Sequence, residues 1–186
     1  MSDFTFHTPD TAPDAARPVL ESAQKQLGFV PNLYAGLANA PATLQAYLSL
    51  SDHFSNTSLS PIEQQVVLLA TSVDNGCEFC VAAHSMIAKA MVGVPAAVVT
   101  ALRDNELPDD PKLAVLADFT RAVVRERGWV LDHPAYARFT DAGFLPEQAL
   151  EVILGVTQKT LSNYANHLLK TPVNDAFAAE QWTANR

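Results

Sequence analysis

The chain has 186 residues, enough for one domain with a substantial core or for two small helical halves sharing one. Hydrophobic residues make up 48% and charged residues 17%, so there is enough apolar surface to offset the entropy of ordering, which excludes a disordered chain. The formal charge of -8 excludes attraction to nucleic acid or anionic lipid as a basis for function, and no run approaches the roughly 18 to 20 apolar residues of a membrane span.

The opening MSDFT has neither the basic nor the apolar stretch of a secretory signal, so a cytoplasmic location is expected. Alanine and leucine are abundant, proline marks helix starts, and no run alternates β-branched residues between turns, so the expected class is all-α over a single domain, 1–186. A first helix is predicted from Ala15 to Leu27, ended by Gly28. Pro31 opens a short segment and Pro41 the stretch Ala42 to Phe54. Ser60, Pro61 and Glu63 stand in capping-box register before a largely apolar helix reaching about Val73. Asp74, Asn75 and Gly76 then form a turn, and a helix from roughly Cys77 to Met91 follows, ended by Gly93. Further helices are predicted over Ala96 to Arg103, Lys112 to Arg127, Pro134 to Ala142, and Pro146 to about Lys170. CVAAH from Cys80 and NYANH from Asn163 echo each other in spacing, an echo too short to establish a duplication.

The chemistry concentrates in CEFC. Cys77 and Cys80 are the only cysteines, and three positions apart they cannot staple distant segments. At a helix N-terminus two sulfurs so spaced lie on one side of a turn, close enough for a disulfide, and the helix end favours a thiolate. Asp74 and Glu78 act against that thiolate. His84, four residues beyond Cys80, is placed beside that sulfur as a proton partner. The expected cycle has the Cys80 thiolate attack a hydroperoxide and Cys77 condense with the sulfenic acid to give a disulfide, which an external dithiol reduces. Two plainer readings stand beside it. CxxC is half of a zinc site, for which no second half exists, and free cysteines also serve as small core residues, a role that two thiols following Asn75-Gly76 do not suggest. No cofactor or metal is expected. His7, His53, His133 and His167 are read as structural, and Tyr34, Tyr47 and Asn75 as pocket residues without an assigned place.

LSPIEQQVVLLA from Leu59 followed by NGCEFCVAAHS from Asn75 resembles the alkylhydroperoxidase AhpD-like branch of the carboxymuconolactone decarboxylase superfamily, with the family core at about 41–127. Looser likeness in GFVPNL from Gly28, GFLP from Gly143 and NYANH from Asn163 covers most of the chain. The resemblance implies an all-α fold and a peroxidase or disulfide reductase in which Cys80 meets the peroxide and Cys77 resolves it. A lipoyl or thioredoxin-like dithiol is then the reductant, and the chain assembles into trimers or hexamers. The family also contains lactone decarboxylation, and a redox sensor without turnover is a further alternative. Two positions depart from the AhpD pattern. Gln65 stands where a glutamate relays protons with the histidine, and Phe79 stands where a histidine separates the cysteines. Gln65 can orient His84 but cannot exchange a proton as a carboxylate does.

Overall fold

Proline fixes its own φ near the helical value and lacks the N–H that a first helical turn cannot pair, and this chain uses it to start most of its helices. The computed structural model describes residues 4–184; residues 1–3, part of the start read for a signal, lie outside them. Among the described residues there are nine α-helices and no strand: α1 Arg17–Leu27, α2 Asn32–Leu37, α3 Pro41–Ser55, α4 Pro61–Asp74, α5 Glu78–Met86, α6 Ala96–Arg103, α7 Pro111–Arg125, α8 Pro134–Asp141 and α9 Pro146–Leu169. Proline occupies the first position of α3, α4, α7, α8 and α9, and caps α2 and α6. The capping box expected at α4 forms: Glu63 N–H donates to Ser60 Oγ at 3.3 Å, and Ser60 N–H donates to Glu63 Oε2 at 2.7 Å.

Helix ends move by one or two residues from the sequence reading, and two features differ from it more. The helix expected over 77–91 is α-helical only to Met86 and continues as a wider π-helical turn, Ile87–Val92. Gly93 ends it at φ +79, and Val94 N–H reaches back to Ala88 O, which keeps both Ala88 and Val94 in the core. A 3-10 turn at Asp175–Glu180, too short to show a period, was not anticipated. Phe177 anchors it, meeting Phe29 and Phe79 edge-on at 5.8 and 6.0 Å, while Glu180 pairs with Lys89 and Arg103.

The apolar side chains segregate into two clusters. The larger joins α4, α6, α7, α8 and α9 around Val66, Val67, Leu69, Phe119 and Phe139. The smaller joins α1, α2, α3, the start of α5 and Phe177, and it contains both cysteines. Helix α4 is buried nearly all round, as a central helix is. Helix α9 passes both clusters, and at Gly155 it approaches so closely that a Cβ would lie 2.6 Å from Phe54 Cε2 and 2.8 Å from Val67 Cγ1.

Gly155→Ala is expected to destabilise the protein by about 1 to 2 kcal/mol, because overpacking against a buried ring outweighs the better helix propensity of alanine. Urea denaturation checks this: a lower midpoint at unchanged slope is the expected result.

Candidate active site

The turn before α5 is built by backbone chemistry. Gly76 takes φ +66, and Cys77 N–H donates to Ser72 O at 2.9 Å, folding the chain back so that Cys77 becomes the N-cap of α5. Helix α9 braces this turn, with Asn75 Nδ2 donating to Asn163 Oδ1 at 3.0 Å and Asn163 Nδ2 donating to Ser72 Oγ at 3.5 Å. Both cysteines are reduced and each is only 1% exposed, so a position just after Asn75-Gly76 did not keep them at the surface. The reason is α9, which lies across the turn with a polar face. The two acidic neighbours expected to oppose a thiolate are occupied elsewhere. Asp74 accepts two bonds from Arg125, at 2.7 and 2.8 Å, and Glu78 accepts from Ala184 N–H at 3.3 Å.

The sulfurs meet that face of α9. Asn166 Nδ2 donates to Cys80 Sγ at 3.2 Å and lies 3.7 Å from Cys77 Sγ; Ser162 Oγ is 3.8 Å from Cys80 Sγ; and Lys159 lines the same cavity as that sulfur. Burial alone pushes the Cys80 thiol up. The Cys77 thiol donating to it, the charge of Lys159 and the bonds from Ser162 and Lys159 outweigh that, holding Cys80 well below the ordinary thiol value. Cys77 moves the other way, because its proton is held by Cys80 and it too is buried beside that negative sulfur. The two shifts favour the anion on the second cysteine and the proton on the first.

His84 and Gln65 come together in the hydrogen bond the sequence suggested, and Lys159 joins them. His84 Nδ1–H donates to Gln65 Oε1 at 3.1 Å, which fixes the tautomer, and its Nε2 accepts from Lys159 Nζ at 3.0 Å. The imidazole, Lys159 and Cys80 line one cavity. Burial, and then the neighbouring positive charge, hold His84 well below its ordinary value, so the ring is neutral. Lys159 itself is 1% exposed and forms no ion pair with a carboxylate among the described residues.

The two cysteines border different openings. Cys80, His84, Lys159 and Gln65 line a mainly apolar cavity of about 390 Å³, walled by Phe29, Tyr34, Tyr47, Phe54, Phe79 and Phe177 among others. Gln158 hydrogen-bonds Tyr47 there, while its Oε1 is buried without a hydrogen-bond partner. Cys77 borders a polar cleft of about 990 Å³ together with Asn75, Asn166, His167 and Arg103. Phe79, between the two cysteines, touches both spaces and forms a wall between them. Among the described residues no cluster of histidine, cysteine and carboxylate could hold a metal.

Sequence reasoning missed Lys159, Ser162 and Asn166, although a signal was present. Gln158, Lys159, Ser162, Asn163 and Asn166 recur at helical spacing on the buried face of α9, while Leu150, Ile153, Tyr164 and Leu168 of the same helix are exposed. A helix whose polar stripe is the buried one presents chemistry inward.

Residues 41–122 match the carboxymuconolactone decarboxylase family model. The chain superposes on an alkylhydroperoxidase AhpD-core, peroxidase-related protein from Ralstonia eutropha JMP134 with a TM-score of 0.82 at 25% identity, over 95% of this chain and 94% of that one. A peroxidase-related protein from Silicibacter sp. TM1040 gives 0.79 at 19% identity, over 96% and 93%. The debrominase Bmp8, solved with 2,3,4-tribromopyrrole and carrying a cysteine-to-alanine substitution, gives 0.79 at 18% identity, over 97% and 96%. No curated protein matches the chain. The likeness to the AhpD-like and carboxymuconolactone decarboxylase proteins read from the sequence therefore holds, and with it the all-α fold.

The Cys80 thiolate is expected to react with iodoacetamide at a rate whose pH midpoint lies well below the ordinary thiol value. Asn166→Ala should raise that midpoint by about one unit, the scale of one hydrogen bond to a charged group. The same shift sets a sign for stability: between the depressed and the ordinary values the unfolded chain binds the extra proton, so the reduced protein gains stability as pH rises through that window. Denaturation of the reduced protein beside Cys80→Ser, at several pH values, should show that gain only with the thiol present.

Proposed function

We propose that this chain, whose residues 41–122 carry the carboxymuconolactone decarboxylase core within an AhpD-like helical fold, is a thiol peroxidase that cycles a Cys77–Cys80 disulfide. The observation that supports this reading is the Cys80 sulfur at the wall of an apolar cavity, bonded by Asn166 and held well below the ordinary thiol value, with the Cys77 thiol one turn before it. An organic hydroperoxide entering the cavity offers its terminal O–H to the unpaired Gln158 Oε1. The Cys80 sulfur attacks that terminal oxygen; an S–O bond forms, the O–O bond breaks, and the leaving alkoxide takes a proton. The Cys77 thiol then displaces water from the sulfenic acid, closing the disulfide. A dithiol of the lipoyl or thioredoxin-like class restores the pair by attacking the Cys77 sulfur from the polar cleft, so oxidant and reductant use opposite sides. Gln65 fixes the imidazole of His84, and His84 fixes the ammonium of Lys159, so both act on Cys80 by positioning.

The aromatic wall of the cavity favours one second reading, reductive debromination of a small halogenated aromatic by the same dithiol, the activity named for the Bmp8 neighbour. Bromide release from a bromopyrrole, measured beside peroxide consumption, separates the two.

Hydroperoxide consumption with a dithiol is expected in the unaltered protein and at background in Cys80→Ser; unchanged turnover in that variant would overturn the reading. Cys77→Ser should stop after one oxidation and leave a sulfenic acid that dimedone labels. His84→Ala should slow oxidation about tenfold or more, as expected when a proton-bearing group loses its alignment. His167→Trp, which narrows the polar cleft, should slow reduction of the disulfide while leaving the oxidation step unchanged, read separately by stopped flow.

A further inference from the structure

A buried ammonium needs a compensating charge, and the surroundings of Lys159 offer one candidate. The titratable groups that feel its charge are Tyr34 on α2, Cys77 and Cys80 at the start of α5, and His84 one turn later. Burial first, and for Tyr34 the neighbouring Tyr47 as well, keeps the phenol protonated; Cys77 holds its proton; His84 is neutral. Only Cys80 is drawn toward the anion. It lines the same cavity as Lys159, so its sulfur is the one candidate counter-charge there, and it is also the atom that reacts.

Oxidation removes that negative charge. When the Cys80 sulfur gives its electron pair to an oxidant it becomes neutral, and Lys159 is left as an uncompensated cation at 1% exposure. At the same moment the leaving oxygen requires a proton. The ammonium has three N–H groups; one is directed to His84 Nε2, and the cavity that Lys159 lines together with Cys80 is open to the others. We infer that Lys159 is the acid of the reaction: it passes its proton to the oxygen leaving the peroxide, stays neutral while Cys77 and Cys80 are joined, and recovers the proton when they are reduced.

This rests on the dithiol reading, and its atoms balance without a proton from solvent. Cys80 thiolate, Lys159 ammonium and a hydroperoxide give Cys80 sulfenic acid, neutral Lys159 and an alcohol. Cys77 thiol and the sulfenic acid then give the disulfide and water. On reduction, a dithiol supplies two electrons and two protons, one of which stays on Cys77 while the other returns to Lys159, regenerating the ion pair. His84, neutral throughout, holds the amine in line.

The test counts protons. Reduced protein near pH 7, in weakly buffered solution with an indicator dye, is oxidised by one equivalent of tert-butyl hydroperoxide. No proton should be taken up per disulfide formed, whereas uptake of one proton would show that Lys159 keeps its charge and would overturn the inference. If the hydroperoxide forms no disulfide, the peroxidase reading fails, and the same count made with diamide, which takes up two electrons and two protons, still decides the role of Lys159. Lys159→Arg separates charge from acidity, because a guanidinium supplies the first and not the second. That variant should keep the ultraviolet absorbance of the thiolate while reacting with hydroperoxide about 100-fold more slowly, the usual scale of a lost general acid. Thiolate retained with a rate within threefold of the unaltered protein would overturn it.

Discussion

The constraint on which this molecule turns is electrostatic: Lys159 lies inside the protein without a carboxylate partner among the described residues, and a cysteine sulfur drawn toward the anion shares its cavity. In a low-dielectric interior such a pair holds only if the remaining donors and acceptors are satisfied. The arrangement around it meets most of that demand, leaving Gln158 Oε1 and Asn166 Oδ1 buried without a partner. His84 takes one ammonium proton, Gln65 holds His84, Asn166 and Ser162 bond the sulfur, and Asn163 fixes the turn that carries Cys77. The polar face of α9 is buried because each of these bonds requires it.

Seen this way, Gln65 is less a loss than a necessity. A carboxylate at this position would sit across the imidazole from Lys159 and compete with Cys80 for its charge, raising the thiol. A neutral amide orients the ring without that competition. The departure from the AhpD pattern that looked, in one dimension, like a thinner proton relay is matched by a lysine on another helix, some ninety positions further along the chain.

That pairing also shows what the chain makes legible. Helix starts were readable because proline and the box of Ser60 and Glu63 act locally, within one turn. The cysteine pair and its placement after a glycine turn were readable for the same reason, and so was the spacing that brings His84 to the same side of α5 as Cys80. What could not be read is what depends on two helices meeting. The contact of His84 with Lys159 spans 75 positions and that of Asn166 with Cys80 spans 86. The burial of Cys77 and Cys80 follows from where α9 crosses the turn, and the 3-10 segment over them is too short for periodicity to register. The unusual composition of α9's inner face was visible, but its meaning needs a partner surface.

The close approach at Gly155 bears on more than packing. Lys159 lies one helical turn beyond it on the same inward-facing side, and Phe54, the ring that forbids a larger side chain there, also walls the cavity. The distance at which α9 rides over α3 and α4 therefore sets how deep the ammonium sits and how near it comes to sulfur. In this protein the acidity of a thiol is in part a mechanical quantity. A change of one methyl group between two helices, touching no reacting atom, would be expressed as a change in the chemistry of Cys80.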